Sequence, residues 1–198
     1  MLFRSKTIWT YTFTPSSNDE SVTIDVGTGG ITDLAGNDNT AAATQFAFTH
    51  DRTVPTVSSI AVTGVTSGQY GTAATYTVVV TGSEQLEDAP TLSLAGGTVG
   101  AGAGSGAGSK TIWTYTFTPS SNDQAVTIDV GVGDITDLAG NDNTAAATQF
   151  AFTHDRTVPT VSSIAVTGVT SGQYGTAATY TVVVTGSEQL NAAPTLTL

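Results

Sequence analysis

The chain has 198 residues, 16 Asp/Glu against five Lys/Arg, a formal net charge of −11 and no cysteine. That acidic balance excludes a nucleic-acid or anionic-membrane footprint, which needs clustered cations, and the missing thiols exclude disulfides and thiolate chemistry. Charged residues are only 11% of the chain, and 39 threonines and 22 glycines supply much of the polarity; with Val, Ile and aromatics interleaved, this composition fits β-strands with one wet face.

Residues 6–94 return as 110–198 at a constant offset of 104, and seven of the 89 positions differ. The differences are Glu20/Gln124, Ser21/Ala125, Thr28/Val132, Gly30/Asp134, Glu87/Asn191, Asp88/Ala192 and Ser93/Thr197. Repetition this close implies a recent tandem duplication. It makes the repeat the structural unit. Four of the seven changes alter an acidic residue, so none of those four carboxylates is expected to be indispensable.

The first 53 residues read as the back part of one repeat. Trp9, Tyr11 and Phe13 fall on one face, Val22 and Ile24 continue it, and Phe46 and Phe48 close it. Residues 1–4 stand where the other copy reads differently, and Leu-Phe-Arg-Ser translates the end of a common sequencing adapter; they are expected to be non-native. "HDRTVPTV", at 50–57 and again at 154–161, is a polar stretch with a proline, a semi-rigid joint between units. Beyond it a strand is predicted at 57–62. A second at 74–81 carries Tyr76, Val78 and Val80 on one face, and a third at 91–94 buries Leu92 and Leu94.

"AGGTVGAGAGSGAGS" at 95–109 looks like a linker but lies inside the repeat. It is read as a weak edge strand around 98–101 followed by a flexible turn. Residues 111–118 place Trp113, Tyr115 and Phe117 together; Val126, Ile128 and Val130, then Phe150 and Phe152, complete the inward faces. Residues 160–198 repeat the opening strands, with Val182, Val184, Leu196 and Leu198 expected inward. Helical periodicity is absent, and no apolar run approaches the ~18 residues of a membrane span.

Six or seven short strands in ~100 residues have the size and pattern of an immunoglobulin-like sandwich. The fold class is therefore all-β: tandem immunoglobulin-like β-sandwich repeats of 104 residues. The predicted division is 1–53 as a C-terminal half repeat, 54–158 as a complete repeat and 159–198 as an N-terminal half repeat. Neither half is expected to stand alone.

The order "SGQYGTAATYTVVVTGSEQL…APTLSL…GSGAGSKTIWTYTFTP…ITDLAGN…DRTVPTV" resembles the bacterial Ig-like repeats of very large surface adhesins. The resemblance covers the whole repeat. It implies a long extracellular rod that holds a binding domain away from the cell, with Ca2+ bound at loops or junctions.

"DLAGNDN", at 33–39 and again at 137–143, is sufficiently explained as a hairpin loop, because Asp and Asn bond their own backbone in turns. In an immunoglobulin-like topology this loop, the incoming linker 51–55 and the loop 82–89 share one pole, with residues 18–20 of the preceding unit approaching from the other side. Convergent oxygens suit Ca2+. The candidate ligands are Asp51, Glu84, Asp137, Asn141 and Asp142, with Asp155 and Glu188 as partial equivalents at the next junction. The stretch does not follow the EF-hand pattern.

His50 and His154 are the same repeat position beside the linker; a lone His makes neither a zinc site nor a triad, and a surface or linker role is expected. No nucleophile elbow or phosphate loop is present, so no enzyme is predicted. Three readings follow: a structural stalk or fibre segment of a large cell-surface adhesin, stiffened by Ca2+; a glycan- or protein-binding module; or a filament subunit whose half-domains complete each other head to tail. The expected partners are neighbouring identical repeats, covalent or head to tail, with no nucleic acid and no membrane insertion.

Overall fold

The computed structural model describes residues 7–105 and 110–197, so the expectations for residues 1–4 and for Leu198 lie outside the described residues. Strands β1 (Asp19–Ile24) and β2 (Phe46–Asp51) come first. They are followed by β3 (Val57–Val62), β4 (Tyr70–Gly71), β5 (Tyr76–Gly82), β6 (Ser93–Ala95), β7 (Gly97–Val99), β8 (Ala103–Ser105), β9 (Ile112–Pro119), β10 (Asp123–Asp129) and β11 (Phe150–Asp155). The last are β12 (Val161–Val166) and β13 (Val182–Gly186). The described residues contain no helix.

Strands β3 to β11 build a two-sheet sandwich. One sheet runs β3-β5-β9-β7, with β8 also on β9, and the other runs β4-β11-β10-β6. The pleat explains the core, because every second side chain points inward. Tyr76, Val78 and Val80 of β5 face Trp113, Tyr115 and Phe117 of β9, and Val126, Ile128, Phe150 and Phe152 oppose them from the second sheet. Every residue predicted inward on these four strands is buried.

Three features of the sandwich depart from the sequence reading or were missed by it. β4 is a two-residue strand that lies parallel to β11, pairing Tyr70 with Thr153 and Gly71 with His154; two residues carry no readable period. The glycine-rich segment splits into two short strands, β7 and β8, both on β9. Two of its glycines are steric necessities: a Cβ on Gly97 would collide with the Phe117 ring, and one on Gly102 would come within 2.6 Å of the Tyr115 ring. His154 is the correction. It is 2% exposed, not a surface or linker residue, and its Nδ1 shares a 2.9 Å hydrogen bond with the Tyr76 hydroxyl. Alternation along β11 places it inward, and the Tyr76 hydroxyl satisfies a ring nitrogen that burial would otherwise strand.

The flanking segments form two-stranded pieces, β1-β2 and β12-β13. Residues 7–15 form no strand, although strand structure is expected there. β9, the same sequence in the second copy, is held by β5 on one edge and by β7 and β8 on the other.

Candidate metal site at the domain junction

Asp51 ends β2, and after a linker of five residues β3 begins at Val57. Within that linker Pro55 is fully buried, and the Thr56 amide donates to the Ser83 hydroxyl at 2.9 Å while the Ser83 amide donates to the Thr56 carbonyl at 2.8 Å. This reciprocal pair ties the linker to the loop that follows β5. The same loop is fastened to the next one, since the Glu87 amide donates to the Thr136 carbonyl at 2.9 Å and Leu86 forms a bridge with Asp137. Glu84 and Asp137 are thereby brought together with Asp51.

The "DLAGN" loop fixes its own aspartate. Asp137 Oδ1 accepts the amides of Ala139 at 2.8 Å and Asn141 at 2.9 Å, and Oδ2 accepts the Asn141 side-chain amide at 2.8 Å. Gly140 has a φ of 87°, the left-handed conformation that this turn requires and that glycine takes without strain. Asp33 is held identically, with Ala35 and Asn37 amides at 2.8 Å and Gly36 at a φ of 89°. The hairpin-loop reading therefore holds in both copies.

One ligand atom from each of Asp51, Glu84 and Asp137 lies within 4.8 Å of the others. Oxygens on opposite sides of one Ca2+ at about 2.3–2.6 Å stand roughly 5 Å apart, so the trio has the span of a single cation site. Asp137 is 1% exposed, and Asp51 and Glu84 are half-buried. Burial, followed by the charges of Asp51, Asp137 and Asp19, pushes the Glu84 carboxyl above its usual range. At Asp51 the Thr53 amide acts downward, but burial, the shared contact with Asp19 and the charges of Asp137 and Asp19 outweigh it and raise the carboxyl. Every charged group acting on Glu84 is another carboxylate. The arrangement concentrates negative charge that a divalent cation would neutralise.

Of the other predicted ligands, Asn141 stands at the junction as a donor, its side-chain amide reaching the carbonyls of Asp51 and Thr53 at 3.4 Å each. Asp142 lies outside the cluster. It is exposed and accepts the Thr136 hydroxyl at 2.7 Å, because it sits opposite Thr136 in a bridge that closes the hairpin. Asp155 and Glu188 line one cleft at the second junction with Tyr70, Gln189 and Leu190, and Glu188 Oε1 is buried without a hydrogen-bond partner among the described residues. From the preceding unit, Asp19 reaches the junction, pairing with Asp51 across β1-β2 and accepting the Thr53 hydroxyl at 2.7 Å; that hydroxyl holds its carboxyl below the usual range. Glu20 turns back to Ser16. Ser83 went unread, since a serine beside a glutamate in a loop carries no signal of what it will hold.

The profile of the bacterial Ig-like domain family matches residues 2–50 and again residues 51–154. No curated protein and no solved structure matches the chain. The break between the matched stretches falls at Asp51, from which the linker leaves β2. With two successive matches over most of its length and a two-sheet β-sandwich beneath the second, the chain belongs to the bacterial Ig-like domain family.

Proposed function

We propose that the chain is a structural stalk segment of a large extracellular bacterial repeat protein of the adhesin type, its units joined end to end and stiffened by Ca2+ at the junctions. An immunoglobulin-like sandwich typically serves as a non-catalytic module, and among the described residues no helix is long and apolar enough to cross a membrane. The observation that carries the reading is the junction. Asp51 comes from the end of the preceding unit, while Glu84 and Asp137 come from two loops of the following one. A cation there would bridge both sides and resist bending between them. The aromatics of β9, which a glycan-binding face would need on the surface, are core residues; this favours a mechanical role.

Calorimetry on the 198-residue chain with calcium and with chelator tests the reading. Binding to the folded junction raises its stability by mass action, by about 2.7 kcal/mol at a hundredfold excess over Kd. A higher melting temperature in calcium, lost in Asp51→Asn and Glu84→Gln, is expected. An unchanged melting temperature and no heat of binding would leave the loop as a hairpin alone.

A further inference from the structure

The route of the chain through the complete domain decides how it carries tension. The chain enters beside the loop after β5, where Thr56 and Ser83 bond each other. That loop is fastened to the one carrying Asp137, which follows the far end of β10. Asp155, where β11 ends, pairs with Asp123 at the start of β10. Entry and exit therefore lie at opposite ends of a seven-residue strand, roughly 20 Å apart. β4 lies parallel to β11, so both run from entry to exit. Tension draws the chain before β4 back toward the entry and the chain after β11 on toward the exit, and the two strands are pulled past each other lengthwise. We propose that residues 67–71, laid along β11, are the mechanical clamp of the domain, the contact that sets how long the unit survives under load. The inference rests on the stalk reading, because only a chain loaded end to end makes use of such a clamp.

The ladder is longer than its two paired residues. The Gly68 amide donates to the Ala151 carbonyl at 2.7 Å, and the Thr153 amide donates to the Gln69 carbonyl at 3.0 Å. The Ser67 hydroxyl donates to the Ala151 carbonyl at 3.2 Å and accepts the Ala151 amide at 3.3 Å. Tyr76 closes the exit end, where its hydroxyl accepts the Ala73 amide at 3.1 Å and shares the 2.9 Å bond with His154. Both rings are buried, so water is not at hand to replace that bond as it stretches. A Cβ at Gly71 would stand 2.6 Å from the Tyr76 hydroxyl; the ring seats against bare backbone.

Sliding loads all of these bonds at once, whereas a hairpin pulled from its open end loses them singly. β3 takes the load first, but a bulge between Val57 and Ser59 interrupts its register with β5, and its release frees only residues 57–66. The sandwich opens when residues 67–71 leave β11. The parts recur with the repeat, "SGQYG" at 67–71 and 171–175 and histidine at 50 and 154.

The test is single-molecule stretching at constant force, in chelator, with the 198-residue chain held by its ends. The central domain is recognised by release of the residues from Val57 to Asp155, up to ~3.3–3.6 Å each. Forced unfolding reports the unfolding rate. Tyr76→Phe deletes two hydrogen bonds of the clamp and should unfold about tenfold faster at the same force, and Ser67→Ala should unfold several-fold faster. Gly97→Ala strains β7, outside the clamp, and should change the rate under load less than Ser67→Ala does, although it lowers stability in denaturant at least as much. Pulling instead between Ser121→Cys and the carboxyl end peels β11 from β10 one pair at a time and should open the domain at least about tenfold faster than end-to-end pulling. Equal rates in the two directions would overturn the proposal. So would parental rates in both Tyr76→Phe and Ser67→Ala, or an acceleration in Gly97→Ala that matches theirs. Because the force is applied in chelator, a melting temperature indifferent to calcium counts against the junction reading and leaves the clamp standing.

Discussion

Residues 7–15 and 111–119 carry the same nine amino acids, yet only the second stretch contains a strand. Phe117 is fully buried and Phe13 is 52% exposed. The loops that follow tell the opposite story: Asp33 and Asp137 gather the same three hydrogen bonds at distances within 0.1 Å of each other. Turn geometry is closed by residues two and four positions away and survives in any surroundings. A strand's ladder and its buried face depend on partners distant in sequence, so identical residues form β9 where β5, β7 and β8 are present and no strand where they are not.

Paired substitutions probe that difference most strongly. Phe117→Ala should cost about 3–5 kcal/mol, the usual range for a buried phenylalanine, while Phe13→Ala should cost less than about 0.5 kcal/mol under dilute conditions. Denaturant unfolding of both variants decides it. Comparable losses would mean that residues 7–15 are packed in solution.

The glycine-rich segment gives a sharper, smaller contrast. Gly97→Ala pushes a methyl into the Phe117 ring and the Thr118 carbonyl and should cost about 1–3 kcal/mol. At Gly100 a methyl would meet nothing within 4 Å, so Gly100→Ala should move stability by no more than about 0.5 kcal/mol. Equal effects would return the segment to the linker reading.

The smallest expected effect is at the junction. A carboxyl whose folded pKa is raised binds its proton more tightly folded than unfolded, so its contribution is present at low pH and is lost as pH rises through the folded value. For Glu84 the loss begins near its ordinary value of 4.5 and continues above it. Glu84→Gln should therefore flatten a fall in stability with rising pH in chelator, and stabilise the metal-free chain near neutral pH by roughly 1 kcal/mol or less. Asp19 and Asp123 act in the opposite sense: both are lowered, first by a threonine hydroxyl, and their small contribution disappears as pH falls below about 3.8. Melting curves across pH 2 to 7 separate the two slopes. A Glu84→Gln variant that is less stable than its parent in chelator would show that the trio is not repulsive.

Much of the fold was legible because alternation is a local signal. The apolar inward residues of β5, β9, β10 and β11 could be read one by one, and the two-residue β4 could not. The candidate site was legible in part: repeat topology indicates which loops share a pole, which brought Asp51, Glu84 and Asp137 into one group. Asp142 looked equivalent because it sits in the same acidic loop, and only the Thr136 bridge shows that it closes the hairpin instead. His154 read as surface from its place beside a linker, since nothing nearby in sequence announces the Tyr76 hydroxyl 78 positions away.

By itself the sequence determined the repeat, the strand faces and the closed turns at Asp33 and Asp137, all of which depend on neighbours within a few residues or on comparison of the two copies. Only the tertiary structure decided which of two identical segments becomes a strand, which histidine is buried and which three carboxylates meet. Those outcomes depend on whether groups far apart in the chain are present to cover, pair with or repel one another.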